Sequence, residues 1–368
     1  MAKEIKIGVV GAAGRGRSFF SAINNNPHAQ VTAICDINEE GLGKAVEDSG
    51  AEESYTDYGQ MLEKGNVDAV LIGTPMHLHV PQAIEALEQD VHVMVEVPVG
   101  VSIEECRYLV GAKKKSRATF MMAENYCYIR ENVLVGQIAM AGLFGDLYFG
   151  EGEYVHELKG LNEITKWRRK WQTGINGNTY PTHSFGPVYQ WFNGQRAVKV
   201  SCFGTGHHYQ DPRGDYYEQE DSITTACRLE GGGLVNLRLD MLSNRPAHCA
   251  YYSLQGTKGC YEAPRGHGDN HKVFLTDRHE WESWNDLSDL AEEFLPEKWL
   301  NPPKEALESG HWGGDYMVVQ DFVEAVLNGT EPPIGIHEAL DMTLVGLVSQ
   351  QSIEQDSAWL DVPDSRDW

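Results

Sequence analysis

Six residues constrain this chain more than any others: Gly11-Ala12-Ala13-Gly14-Arg15-Gly16, directly after the apolar run Ile5–Val10. A glycine-rich turn between a buried strand and a helix lets backbone N–H groups and the helix N-terminus approach a phosphate. Such turns are common, so the surroundings decide what this one means. Short apolar runs recur at 31–35, 67–72, 92–95 and 118–122, with amphipathic stretches at 80–88 and 103–114 between them. Ser102 and Glu105 stand at the spacing of a capping box at the head of the second stretch. Strands apolar on both faces and separated by helices predict a parallel, doubly wound sheet.

Beyond residue 125 the texture changes. Longer, alternating runs at 147–156, 197–203, 222–229, 234–239 and 250–255 predict a large, mostly antiparallel sheet, with Gly231-Gly232-Gly233 as a hairpin connection. Apolar residues three and four apart predict helices over 316–327 and 337–353, while 265–310 carries no clear period. The expected architecture is α/β: an N-terminal Rossmann domain over 1–125 and an α+β domain over 126–368. The latter is expected to bind substrate, with its C-terminal helices able to pack back on the first domain. A length of 368 residues suits two or three domains.

A formal net charge of -24 repels phosphate backbones and anionic lipid, which argues against nucleic-acid and membrane-surface partners. No apolar run reaches membrane-spanning length. Seven cysteines, an odd number without metal-ligand spacing, fit reduced thiols rather than a disulfide framework. Met1–Val10 runs straight into a strand and leaves no room for a signal peptide, so a cytoplasmic location is expected. His207, His208, His267, His271 and His279 lack the spacing of a metal site, and none is expected.

The glycine-rich turn predicts a dinucleotide site. Gly11 and Gly16 match the first and third glycines of G-x-G-x-x-G, and Ala13 takes the second place. Asp36 closes the second strand where an acid accepts ribose hydroxyls, and its charge repels a 2′-phosphate, which favours NAD over NADP. The structural alternative for Asp36 is a helix N-cap; Arg15 and Arg17 keep phosphate contacts open. Three later strand ends should reach the same crevice: Gly73-Thr74-Pro75-Met76-His77-Leu78-His79, then Glu96-Val97-Pro98, then Glu124-Asn125.

These residues resemble the Gfo/Idh/MocA oxidoreductases along essentially the whole chain. Typical dehydrogenases of that family carry Glu-Lys-Pro after the fifth strand and an Asp four residues before a His. Here the first motif reads Glu96-Val97-Pro98 and the second Thr179-Tyr180-Pro181-Thr182-His183, so lysine and aspartate are both replaced. The departures are similar to one branch, glycoside hydrolase family 109, the NAD-dependent α-N-acetylgalactosaminidases. Gly177-Asn178, Glu124–Tyr128, Gly150–Leu158, Trp167-Arg168, Gly313-Gly314-Asp315-Tyr316 and Asn328-Gly329-Thr330 carry that resemblance. It implies NAD contacts at Arg15, Gly16, Asp36, Met76, His77, His79, Glu96, Val97, Asn125 and Tyr180. It implies sugar contacts at Tyr154, Arg168 and Tyr180–His183, Thr182 among them. The segment Ala247-His248 departs from it where a sugar-contacting tyrosine is expected. Members of this kind are commonly homo-oligomers.

The chemistry so implied is a redox route to glycoside cleavage. Oxidation of a ring carbinol at C3 acidifies the neighbouring C2–H, a base removes that proton, and the C1 substituent leaves by elimination. Water then adds and the hydride returns. His183 or Tyr180 would act at the hydroxyl. His156 or Tyr154 would assist at C2 or the leaving group, and Arg168 would hold substrate oxygens. The alternatives are a net sugar, glycoside or cyclitol dehydrogenase and a non-catalytic regulator that senses sugar or NAD. Trp167 and Trp171 read as packing residues rather than a sugar platform.

Overall fold

The computed structural model describes residues 4–246 and 248–368. They fall into two compact units: one takes the residues up to Ile129 with Pro302–Leu340 and Ser365–Trp368, the other Arg130–Asn301 with Asp341–Asp364. Ala247, a departure from the sugar-site pattern noted above, lies outside the described residues.

The first unit is built on six parallel strands: β1 (Ile5–Val10), β2 (Ala29–Cys35), β3 (Glu53–Tyr55), β4 (Ala69–Ile72), β5 (His92–Val95) and β6 (Phe120–Met122). Their order is β3-β2-β1-β4-β5-β6, so the direction of winding reverses between β1 and β4. Every residue of β4 is buried, as expected of a strand covered on both faces, and each such Val, Leu or Ile contributes about 1.5–3 kcal/mol. Strand β3 has no apolar run to announce it; its three residues are largely exposed, and it is paired to β2 and flanked by the helices Glu39–Ser49 and Tyr58–Lys64. The expected capping box closes the helix Ile103–Lys113: the Ser102 side chain accepts from Glu105 N–H, and the Glu105 carboxylate accepts from Ser102 N–H. The helix Gly314–Asn328 packs against the turn Asn125–Tyr128 that follows β6.

The second unit carries nine strands. They are β7 (Leu147–Val155), β8 (Ala197–Gly204), β9 (Ile223–Leu229), β10 (Leu234–Asp240), β11 (His248–Gly256), β12 (Gly259–Glu262), β13 (Lys272–Leu275), β14 (Asn285–Asp286) and β15 (Leu360–Asp361). Their order is β14-β13-β12-β11-β7-β10-β9-β8-β15. All neighbours are antiparallel except β7 and β10, which run parallel at the centre. The unassigned stretch 265–310 resolves into β13, β14 and short helices; pieces of two to four residues are too brief to show a period.

The helix Thr182–Trp191 lies on this sheet, and β7 explains its position. Gly150 and Gly152 face the helix, and a Cβ at Gly152 would stand 1.8 Å from the Ser184 carbonyl oxygen. The absence of two side chains lets the helix backbone settle directly on the strand. Tyr154 follows on the same face of β7 by the two-residue period. No helix among the described residues is long and apolar enough to cross a membrane.

Candidate functional site

In the first unit the glycine-rich turn has the geometry its residues imply. Gly11 adopts φ +76°, and a Cβ there would stand 2.5 Å from the Gly73 carbonyl oxygen, so the tight turn excludes other residues. A Cβ at Gly16 would stand 2.8 Å from Val9 Cγ1, which lets the turn after β1 pack closely on its strand. Asp36 Oδ2 accepts from Ala13 N–H at 2.8 Å and Oδ1 from Asn38 N–H at 2.9 Å. The N-cap of the following helix is Asn38 rather than Asp36. Asp36 thus stands at the turn itself, with lone pairs left for ribose hydroxyls.

Across the carboxyl ends of β5 and β6 lies a cluster of charges. Arg15 Nε donates to Glu96 Oε1 at 2.7 Å, and its Nη2 donates to Asp315 Oδ1 at 3.2 Å. Asn125 Nδ2 donates to the same Asp315 oxygen at 2.8 Å, and His311 Nδ1 lies 3.1 Å from both oxygens of Asp315. Asp315 is fully buried. Burial pushes its pKa up, but His311, Arg15 and Asn125 overcome that and hold it at about 2. Burial likewise opposes the Arg15 charge, and Glu96 and Asp315 outweigh it and raise its pKa above the ordinary value. His311, Trp312 and Gly313 all have positive φ, at 53°, 54° and 96°. That left-handed run, strained at the two non-glycine residues, folds His311 back over Asp315. Asn125 Oδ1 is buried with no hydrogen-bond partner within the chain. An orphaned amide oxygen beside the strand ends fits a carboxamide donor, and the open glycine turn fits a pyrophosphate.

In the second unit four rings meet where β7 ends and the helix Thr182–Trp191 begins. Ring centroids of Tyr154 and His183 are 5.0 Å apart, those of Tyr180 and His183 5.0 Å, and those of Tyr154 and Tyr180 5.5 Å. Tyr154 Oη and His156 Nδ1 are 2.8 Å apart. Burial, then the nearby Arg168 and His183, lower the His156 pKa, so its imidazole is neutral at pH 7. Arg168 is oriented locally: Nε donates to Thr165 Oγ1 at 3.0 Å and Nη1 to Gln172 Oε1 at 2.7 Å, with the guanidinium over the Trp167 ring. His183 is fixed through its backbone as well. Pro187 has no N–H to bond the carbonyl four residues earlier, which is that of His183. The Tyr252 hydroxyl from β11 donates to that carbonyl instead, at 2.5 Å.

The residues singled out from the sequence therefore form two groups. Gly11, Ala13, Arg15, Gly16, Asp36, Glu96 and Asn125 gather around the first turn and the ends of β5 and β6. Tyr154, His156, Arg168, Tyr180 and His183 gather in the second unit. Others lie beneath these sites. His79 is fully buried, with Nδ1 and Nε2 each 2.8 Å from a carbonyl oxygen, of Pro98 and Thr74, so both ring nitrogens are occupied. Burial lowers its pKa against the pull of those carbonyls. Thr74 Oγ1 donates to Gln82 Oε1 at 2.6 Å, Met76 and Val97 are buried, and His77 is half-buried on the short turn Met76–Leu78. Thr182 has no exposed surface, and its Oγ1 is buried without a hydrogen-bond partner within the chain. Thr179, standing where dehydrogenases have Asp, is buried; it donates to the Gln172 carbonyl and accepts from Gln219 Nε2, both at 3.0 Å. Trp167 and Trp171 are half-buried under the Arg168 and Lys170 cations. His207, His208 and His267 are exposed; His271 and His279, read as surface residues, are half-buried and hydrogen-bonded to Tyr261 and Leu275. Among the described residues no group of three or more His, Cys, Asp or Glu could hold a metal ion.

Sequence reasoning missed His311, Asp315 and Tyr252 as site residues. Asp315 was visible only within Gly313-Gly314-Asp315-Tyr316, and nothing local tied it to Arg15. A tyrosine standing in for a proline's missing N–H leaves no local signal.

This constellation defines a nicotinamide-dinucleotide-binding protein with a second, α+β unit carrying a cluster of tyrosine and histidine rings. Residues 5–124 match the oxidoreductase family with NAD-binding Rossmann fold, and residues 128–367 match the glycosyl hydrolase 109 C-terminal domain. The chain belongs to glycosyl hydrolase family 109, within the Gfo/Idh/MocA oxidoreductases, and its cofactor is NAD. A glycosyl hydrolase family 109 protein of Saccharopolyspora erythraea is 29% identical, covering 98% of this chain and 83% of its own length. An alpha-N-acetylgalactosaminidase of Shewanella oneidensis is 28% identical, covering 98% and 84%. Among solved structures, levoglucosan dehydrogenase in complex with NADH and levoglucosan superposes with a TM-score of 0.82 at 20% identity, covering 98% of this chain and 100% of its own. Scyllo-inositol dehydrogenase from Lactobacillus casei with bound NAD(H) and scyllo-inositol gives 0.75 at 20% identity, covering 98% and 99%. These likenesses establish the fold.

Proposed function

We propose that the protein is an NAD-dependent glycosidase that cleaves an α-N-acetylgalactosaminide-like glycoside by transient oxidation at C3. The observation that carries the reading is the cluster of Tyr154, His156, Tyr180 and His183 beside Arg168, a set of side chains able to give and take protons in a family 109 domain. Arg15, Gly16, Asp36, Glu96 and Asn125 would hold the cofactor, with backbone contacts from Met76, His77 and Val97. When bound, NAD+ supplies a hydride acceptor and gives the hydride back, so no external oxidant is consumed.

The chain's own groups move the protons. His183 takes the proton of the C3 hydroxyl, with Tyr180 at the edge of its ring as the second candidate. Tyr154 Oη stands against a neutral His156 and can pass its proton to Nδ1 while taking one from C2. Protonated His156 then returns a proton to the leaving oxygen. Arg168 holds substrate oxygens by its fork of donors. The absent lysine is filled by Val97, which is buried and apolar and offers no proton at that position. A cytoplasmic location and a homo-oligomer belong to the same reading.

The second reading is a net sugar or cyclitol dehydrogenase, favoured by the dehydrogenase folds this chain resembles. One experiment separates them. The purified protein, without added cofactor, is offered nitrophenyl glycosides led by the α-N-acetylgalactosaminide, and nitrophenol and NADH are followed together. Many turnovers of nitrophenol with no net NADH are expected. NADH formed from added NAD+ and free sugar, with no nitrophenol, would replace the glycosidase by the dehydrogenase.

A further inference from the structure

We infer that the buried carboxylates Glu96 and Asp315 set the balance between NAD+ and NADH on this protein, favouring the oxidised, positively charged nicotinamide. The inference rests on NAD binding and not on the glycosidase reading.

Placement comes from the fold. Asp36 ends β2 and marks the adenine-ribose half of a sheet ordered β3-β2-β1-β4-β5-β6, so the nicotinamide half belongs to β4, β5 and β6. Glu96 immediately follows β5, and Asn125 follows β6 with its orphaned Oδ1. Asp315 is brought to the same strand ends by its bond to Asn125. Both carboxylates are buried, and the one fully charged partner they share is Arg15. Two buried carboxylates thus face one guanidinium, with the His311 ring 3.1 Å from Asp315 as their other basic neighbour.

NAD+ carries a positive nicotinamide ring and NADH a neutral one, so a fixed negative charge in a water-poor site discriminates between them. The geometry speaks for a built device. A left-handed segment, His311-Trp312-Gly313, is held in place to deliver Asp315, and a Cβ at Gly310 would stand 2.3 Å from Asp315 Oδ2. For a cycle in which a hydride must leave the sugar and come back, such a bias sets how far the first transfer proceeds.

The test uses the whole protein equilibrated with equal NAD+ and NADH at pH 8, washed, denatured, and assayed for the ratio of released nucleotides. Glu96→Gln and Asp315→Asn keep shape and remove one charge each. Each variant should shift the bound ratio about tenfold toward NADH. If Asp315→Asn fails to fold, Glu96→Gln decides alone. A ratio within twofold of wild type, even with less total nucleotide bound, would show that the carboxylates only brace Arg15 and would overturn the inference. A shift toward NAD+, or wild-type protein that retains neither nucleotide, would overturn it as well. Because no sugar is present, failure of the glycosidase reading leaves this result untouched.

Discussion

The two sites are held together by opposite means. At the ends of β5 and β6 a buried carboxylate collects Arg15, Asn125 and His311, residues up to 300 positions apart. At the end of β7 the clustered groups are rings in van der Waals contact, drawn from two short segments, 154–156 and 180–183. The proposed function accounts for the difference. A charged cofactor is bound by fixed charges that must not titrate, and Asp315 with a pKa of about 2 never does near neutrality. Proton transfer to a neutral sugar needs groups that change protonation readily, and a neutral His156 against a tyrosine hydroxyl is such a pair.

The sharpest way to break this contrast is to remove the ring proposed to take the sugar's proton. His183→Ala should cut turnover about a thousandfold while NAD binding stays nearly unchanged, as measured by steady-state kinetics beside nucleotide retention. Equal activity in that variant removes His183 from the mechanism.

Next comes the packing that presents it. Gly152→Ala would press a Cβ to 1.8 Å from the Ser184 carbonyl oxygen, a backbone atom with no room to yield. We expect about 2–3 kcal/mol of lost stability and a matching fall in activity, read by chemical denaturation. A stable variant with full activity would mean the helix does not need its close seat on β7.

On the cofactor side the expected effect is smaller and tied to acid. The Asp315 pKa is depressed, so its stabilisation is present above the ordinary carboxylate value of 3.8 and disappears as pH falls toward about 2. That amounts to about 2 kcal/mol. Melting curves between pH 5 and pH 2.5 should fall more steeply for wild type than for Asp315→Asn; parallel curves would deny the charge its role. The smallest effect is expected for Tyr252→Phe, which leaves the His183 carbonyl without the hydroxyl that replaces the proline-blocked bond. We expect kcat to fall about tenfold with KM unchanged. A change in KM alone would mean Tyr252 acts on substrate rather than on His183.

Each site leaves its own kind of signal in the sequence. The glycine-rich turn, Asp36 and the polar groups after β4, β5 and β6 were legible because a doubly wound sheet ties position along the strand to position in the crevice. His183, Tyr180 and Tyr154 were legible only through resemblance, since an isolated histidine or tyrosine carries no period. That His79 and Thr182 are buried was not legible in their motifs, because burial is decided by what packs above them.

The sequence by itself determined the alternation of strands and helices, the turn that excludes a side chain at Gly11, and the capping box that starts the helix Ile103–Lys113. Each depends on residues a few positions apart. Only the tertiary structure decided that Asp315 would meet Arg15, that Gly152 would leave room for Ser184, and that Tyr252 would complete the helix broken by Pro187. Buried charges and missing hydrogen bonds must be satisfied by whatever the fold brings near, and that partner's place in the chain is set by topology rather than by local pattern.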